Sequence, residues 1–386
     1  MSPPAINITL LLPAFPIVSQ IPDVAKVPTS MPDTGETDVL ALQYAQLLWG
    51  CAQTNQEPWQ SQLLPRLGLS AFDGQHLPTA RIRFHAAALS GTIVSHRELI
   101  AAGLACADPV HLQADHDSAK LYPITLSDLD SREAGSLLES INEFLKQDNV
   151  QLIGNPDSRW YIAGLDAQSL ASYPPSFLAH RNAAAFMPEG DDKGRWRRLM
   201  TELQMLLHAH PVNLERERRG KLTVNSLWFW GGAALPDDGD THLRDRDHAH
   251  LPAFYGDDSF ADALADCLGV ECRSLTSLDS TTINTDALVV DTRVSDALLA
   301  GDESGMHSAQ QRILADWLLP LQRRISAGES IEVSAYNEDG QLGLLNAEAI
   351  RLEKQNRLRR NLADNPDQHT VGGRFRKFWQ RFTGRP

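Results

Sequence analysis

Cysteine is scarce in this chain. Its 386 residues hold four, Cys51, Cys106, Cys267 and Cys272, scattered and with no Cys-x-x-Cys pair. That excludes a disulfide scaffold and points to free thiols in a reducing cytoplasm. No apolar run reaches the roughly 18 residues that a membrane helix needs. No basic stretch precedes the short apolar run Ile6 to Leu12, so that run reads as a strand and not as a signal peptide. No internal repeat is visible. Positive charge is also in deficit, 35 Lys and Arg against 49 Asp and Glu, for a net charge of −14. An acidic body argues against general nucleic-acid binding. The exception is the end of the chain, where Arg351 to Pro386 carries ten basic residues against three acidic ones.

What is present is an alternation of strand and helix patterns. After Ile6 to Leu12 comes a Pro- and Thr-rich loop from Pro22 to Pro32, and then a helical pattern from Asp38 to Leu48. Glu98 to Leu112 holds a helix and a short strand, "LACADPVHL". "SREAGSLLESINEFLKQDNV" reads as an amphipathic helix capped by Ser131, with one apolar stripe from Ala134 to Leu145. "RWYIAG" follows as a strand. "GRWRRLMTELQMLLHAHP" is a second amphipathic helix, ended by Pro211. Leu222 to Trp230 is apolar on both faces, as a central parallel strand requires. Asp286 to Val290 and Ser330 to Tyr336 are further strands, preceded by helices at Phe260 to Leu268 and Ser308 to Ile325. Such alternation predicts an α/β layered fold with a mainly parallel sheet, and the length predicts one large or two medium domains. Gly231 and Gly232, directly after the aromatic strand, either admit a ligand close to the backbone or form a tight turn.

The stretch "LLHAHPVNLERERRGKLTVNSLWFWGGAALP" resembles the archaeal-type cofactor-independent phosphoglycerate mutases of the alkaline phosphatase superfamily. The shared residues are His210, Pro211, Val212, Asn213, Arg216, Gly220, Lys221, Asn225, Trp228, Trp230 and Gly231. More weakly, "LACADPVHL", "EAGSLLESINEFL" and "DSRWYI" follow the element order of that family's inserted domain. "GETDVLAL" is similar to the segment around the family's nucleophilic serine, with Thr37 in the serine's place. "PEGDDKGRWRRLMTELQMLLHAHP" and "VNSLWFWGG" further resemble a bacterial branch, the RpfE-type regulatory proteins. The resemblance implies an alkaline-phosphatase-like core over residues 1–90 and 181–345. It also implies a smaller inserted α+β domain over 91–180, which leaves 346–386 as a basic amphipathic tail.

The resemblance also implies what the chemistry would need. The family holds two divalent metals with Asp and His side chains at strand ends, and the metals stabilise the attacking and leaving oxygens of phosphoryl transfer. Where the family has Asp-Gly after the first strand, this chain has Pro13-Ala14. Where it has Asp-Glu-x-x-His, this chain has Asp296-Ala297-Leu298-Leu299-Ala300. Where it has Asp-His, this chain has Asn337-Glu338. Thr37, as nucleophile, and Asp38 and Asp296, as metal ligands, are the remaining candidates, with His307, Asp302 and Glu303 available from a displaced loop. No cofactor is expected unless these rebuild a site for Mn²⁺, Mg²⁺ or Zn²⁺.

Other residues invite a site or a plainer reading. "HLRDRDHAH" holds His242, Asp245, Asp247, His248 and His250, a transition-metal cluster or a polar loop whose spacing fits no standard ligand pattern. Arg159, Arg216 and Lys221 suit a phosphate or carboxylate, or surface ion pairs. Asn213 binds a ligand or caps the short helix before Gly220. Asn225, set among apolar neighbours, needs a partner from a ligand or a neighbouring loop. In the tail, Phe375, Phe378, Trp379 and Phe382 share one helical face, while Arg374, Arg376, Lys377 and Arg381 fall mostly opposite. That pattern suits an anionic membrane surface, a partner's groove, or the chain's own acidic body. The expected role is a catalytically degenerate, regulatory or binding relative of the mutases. The alternatives are an active metal-dependent mutase or phosphatase with rearranged ligands, and a protein that docks through its tail.

Overall fold

The computed structural model describes residues 5–15, 57–69, 72–89, 97–115, 118–125, 128–154, 159–179, 181–190, 194–235, 250–338, 340–348 and 350–351. Thr37, Asp38, the His242–His248 part of the histidine cluster and the amphipathic tail lie outside them, as does the helix expected from Asp38.

Two sheets organise the chain. The strands are β1 (Ile6–Leu11), β2 (Leu104–Asp115), β3 (Ser118–Pro123), β4 (Gln151–Ile153), β5 (Tyr161–Ala163), β6 (Ser226–Trp230), β7 (Ala253–Gly256), β8 (Cys272–Arg273), β9 (Ala287–Val290), β10 (Ile331–Asn337) and β11 (Gly340–Leu345). The first sheet has the order β11-β10-β1-β9-β7-β8 and is parallel throughout, except for the hairpin strand β11. Register is tight at its centre, with Ile8 opposite both Val333 and Ala287. All four residues of β9, Ala-Leu-Val-Val, are buried, as expected of a parallel strand covered on both faces. This is the mixed α/β architecture with a mainly parallel central sheet that the alternating pattern implies.

The second sheet is antiparallel, with the order β3-β2-β5-β4 and with β6 on the other side of β2. Its spine is β2, a twelve-residue strand rather than the short one expected. Different stretches of β2 pair with β3, β5 and β6. The structure corrects the reading of Leu222 to Trp230 as a central parallel strand. Its regular part, β6, runs antiparallel to β2 and is buried on both faces because both faces are covered. Phe229 packs on Trp196 with ring centroids 5.3 Å apart, while the Trp228 indole donates to the Tyr173 carbonyl at 2.9 Å. The second sheet thus draws on residues 226–230 as well as 104–163.

The helices that matter for the site are α1 (Trp59–Arg66), α2 (Thr79–Leu89), α3 (Ser131–Leu145), α4 (Arg195–His208), α5 (Pro211–Arg218), α6 (Ser259–Leu268), α7 (Arg293–Leu299) and α8 (Glu303–Ile313). The cap of α3 is Asp130, not Ser131. Its carboxylate accepts from the Arg132 and Glu133 amides, and Glu133 reaches back to the Asp130 amide. A carboxylate takes two amide protons and favours the positive helix end, which outcompetes the hydroxyl one residue later. The α3 stripe of Ala134, Leu137, Leu138, Ile141 and Leu145 is buried as its 3.6-residue spacing requires, and so is that of Trp196, Leu199, Met200, Leu203 and Leu207 on α4. The parallel sheet buries Ile8, Leu10 and Val289 in one core with Ile313 and Trp317. Its other face sends Leu11, Leu288 and Val290 into a core continuous with that of the second sheet.

Candidate functional site

The aromatic motif builds one wall of a cleft. After Trp230 the chain turns with Gly231 at φ +70°, and the Gly231 carbonyl accepts from the Ala80 amide at 2.9 Å. A Cβ on Gly231 would stand 3.0 Å from the Thr79 Cβ, and one on Gly232 would stand 2.4 Å from the Ala167 carbonyl oxygen. Both glycines therefore make room for the chain's own backbone and the start of α2. Anchored there, α2 carries Arg83 one turn further on.

Arg83 is only 7% exposed, and its Nε and Nη1 have no hydrogen-bond partner. Its guanidinium lies 5.6 Å from the Trp230 ring and 5.5 Å from that of Phe260, so two aromatic faces offset part of its charge. Beside it, the Trp230 indole donates to Asp108 Oδ2 at 2.7 Å, and Arg159 Nη1 lies 3.7 Å from Asp108 Oδ1. Arg159 also donates to the Ser259 hydroxyl at 3.5 Å, at the start of α6.

Arg83, Asp108, Arg159 and Trp230 line a cleft of 360 Å³ together with Trp59, Gln60, Trp160, Asp258, Thr292, Ser295 and Asp296. That volume lies within the usual range for small-molecule sites, roughly 300–1,000 Å³. The Gln60 Oε1 and the Trp160 Nε1 are buried and unpartnered as well. Asp258 caps α6, accepting from the Phe260 amide at 2.7 Å, and Asp296 accepts from the Thr292 hydroxyl at 2.8 Å. Next to the cleft, burial pushes the Cys106 thiol up to about 12, with the Asp108 charge adding to the effect. It stays protonated and is no nucleophile.

Most of the candidate residues lie elsewhere. Arg216 is buried and engaged, with Nε donating to the Leu222 carbonyl at 2.8 Å and Nη1 donating to the Asp128 carbonyl at 2.9 Å and to Glu133 at 2.6 Å. Asn213 caps no helix; the α5 cap is His210, and the Asn213 amide bridges the backbone of Leu207 and Val224. Asn225 pairs with both backbone groups of Leu112, at 2.7 and 2.9 Å, so its partner is strand β2. Lys221 is exposed, and His250, from the histidine cluster, is too. His307 is hydrogen-bonded to Gln311 on α8 and does not line the cleft. Asp302 caps α8 through the Gly305 amide, directly before Glu303. Of the singled-out residues, Arg159 and Asp296 come together at the cleft, and Trp230, directly before the two glycines, joins them.

The strand ends that the resemblance marks for metals hold each other instead. The Ala14 amide donates to Glu338 Oε2 at 2.7 Å, and the buried Asn337 amide donates to the Phe15 carbonyl at 2.9 Å. Ala14 sits at φ +56°, a left-handed conformation that glycine takes without strain. Among the described residues no group of three or more His, Cys, Asp or Glu is placed to hold a metal ion. These donor sets do not fit a two-metal centre.

Sequence reasoning missed Arg83, Asp108, Gln60, Trp160 and Asp258. Two signals were available. At 100° per residue, Arg83 falls on the same stripe of α2 as the buried Ala80 and Phe84. Asp108 interrupts the otherwise apolar "LACADPV". A charge inside an apolar pattern calls for a partner or a ligand.

No protein-family model matches the chain. The chain is 30% identical over 110 residues to 2,3-bisphosphoglycerate-independent phosphoglycerate mutase 2 of Methanothermobacter thermautotrophicus, covering 28% of this chain and 27% of that one. It is 27% identical over 128 residues to the 2,3-bisphosphoglycerate-independent phosphoglycerate mutase of Methanosarcina mazei, covering 32% of each. The matched stretches thus span about a third or less of these curated relatives. Among solved structures, a cofactor-independent phosphoglycerate mutase from Thermoplasma acidophilum aligns over 89% of this chain and 90% of its own, at 13% identity and a TM-score of 0.31. The PH0037 protein of Pyrococcus horikoshii aligns over 88% and 86%, at 12% identity and a TM-score of 0.37. By sequence, then, the chain is similar at low identity to cofactor-independent phosphoglycerate mutases.

Proposed function

We propose that this chain is a phosphoglycerate-mutase-like protein, on an alkaline-phosphatase-like framework, that binds a small ligand in the cleft and performs no phosphoryl transfer. Its role is binding or regulation, in keeping with the resemblance to the RpfE-type branch. The observation that carries the reading is the set of buried, unpartnered polar groups, Arg83, Gln60 and Trp160, on one cleft. A folded protein keeps such groups at a cost in stability, and a ligand that completes them gives a reason to keep them. Supporting it, Pro13, Ala14, Asn337 and Glu338 stand where the mutases need metal ligands, and the last three are spent on hydrogen bonds to one another's segments.

The test is turnover. The purified full chain is incubated with 3-phosphoglycerate and with an aryl phosphate, each with Mn²⁺, Mg²⁺ or Zn²⁺. The expected result is no product and no metal-dependent rise in melting temperature. Turnover abolished by Thr37→Ala overturns the reading. It would establish the alternative of an active metal-dependent enzyme, for which the position of Asp296 in the cleft is the observation in favour.

A further inference from the structure

The unpartnered groups of the cleft specify more than the presence of a ligand. Arg83 Nε, Arg83 Nη1 and Trp160 Nε1 are donors, and each seeks an acceptor oxygen. Gln60 Oε1 is an acceptor and seeks a donor hydrogen. A molecule that completes the set therefore brings both acceptor oxygens and an N–H or O–H.

The charges sharpen this. The cleft holds two cations, Arg83 on α2 and Arg159 in the segment before β5. Three acids, Asp108, Asp258 and Asp296, come from β2, from the residue before α6 and from α7. Arg159 reaches Asp108 and the start of α6, so part of the charge is neutralised within the protein. What remains is the Arg83 guanidinium, with two buried nitrogens lacking partners, and the carboxylate of Asp296, which accepts from the neutral Thr292 hydroxyl. A ligand carrying several negative charges would satisfy the first and be repelled by the second. The lining also has an apolar part, with Pro109, Pro123, Ile124, Pro175 and Leu299.

Building on the reading of the chain as a binding protein, we propose that the cleft takes a small zwitterion with an apolar body, of the class of the hydrophobic α-amino acids. Its carboxylate lies on Arg83 and Trp160. Its ammonium group donates to Gln60 and faces Asp296. Its side chain packs along the prolines.

Calorimetric titration of the full chain with L-phenylalanine and L-leucine tests this against three probes: 3-phenylpropionate, which lacks the cation, phenethylamine, which lacks the carboxylate, and 3-phosphoglycerate. The amino acid should bind at least about tenfold more tightly than either single-ended analogue. Arg83→Gln should weaken L-phenylalanine at least about tenfold and leave phenethylamine unchanged. Asp296→Asn should weaken L-phenylalanine and phenethylamine while sparing 3-phenylpropionate. No heat with either amino acid up to about 10 mM overturns the proposal, and so does equal or tighter binding of 3-phenylpropionate or 3-phosphoglycerate. Tight 3-phosphoglycerate binding without turnover would sink the zwitterion and leave the binding role standing. Turnover would sink the binding role itself.

Discussion

Two buried arginines mark two regions of opposite character. Arg216, on α5, is closed in by the Leu222 and Asp128 carbonyls and by Glu133 of α3, so its charge is met within the protein. Arg83, on α2, is also buried, yet two of its nitrogens have no partner and the residue lines a cleft. Only the second is among the residues that line the cleft. Burial of a charge therefore does not identify a site, and neither does one unpartnered atom, since Glu133 Oε1 and Trp196 Nε1 also lack partners; the grouping of Arg83, Gln60 and Trp160 on one cleft does. The shared motif with the mutases pointed at Arg216, while the geometry points at Arg83.

The largest effect should come from breaking the first region. Arg216→Leu leaves the Glu133 carboxylate buried without its cation and should cost roughly 3–5 kcal/mol, read from the midpoint of denaturant unfolding. A loss below about 1 kcal/mol would mean that Arg216 is not a clasp, and the contrast with Arg83 would fail. Next comes the junction that joins motif to cleft. Gly232→Ala would drive a Cβ to 2.4 Å from the Ala167 carbonyl oxygen, a backbone atom that cannot swing aside. A loss of about 1–3 kcal/mol is expected, as for other overpacked sites. An unchanged stability would show that the turn after Trp230 has slack and does not fix α2.

Arg83 should respond in the opposite direction. Arg83→Met keeps the length and apolar stem and removes a charge that its surroundings satisfy only in part. The ligand-free protein should gain about 1 kcal/mol, visible as a higher melting temperature, as when binding residues are exchanged for stability. A destabilised variant would show that the stacking on Trp230 and Phe260 is structural, and Arg83 would join Arg216.

Much of the framework was legible because it rests on periodicity. The α4 helix, the alternation of strands and helices, and strands β1, β9 and β10 all carry their spacing in local sequence. The antiparallel setting of β6 was not legible, because Leu-Trp-Phe-Trp is apolar on both faces in either kind of sheet that is covered on both sides. The partners of Asn213, Asn225 and Arg216 were equally hidden. Each is a backbone group of another element, and backbone groups leave no trace in residue type. Asp296 was found because the resemblance named its position. Gln60 and Trp160 were missed because an unpartnered atom exists only after the fold has paired the rest.

The smallest effect separates the two regions by pH. His210 caps α5, the helix that carries Arg216. Its Nδ1 accepts from the Val212 amide at 3.3 Å, so the opposite nitrogen, Nε2, bears the proton and donates to the Ser140 hydroxyl at 3.0 Å. Burial holds its pKa below the ordinary 6.5. The unfolded chain therefore takes up a proton at a pH where the folded one does not. This contribution to stability is complete above 6.5, declines as pH falls below that value, and levels off once the folded histidine also protonates. His210→Asn retains an acceptor for the helix cap and removes the titration, so its melting temperature should fall less than that of the parent between about pH 7 and 5. Identical slopes in parent and variant would place the acid sensitivity elsewhere. A slope that also tracked Arg83→Met would mean that clasp and cleft are one coupled region and not two.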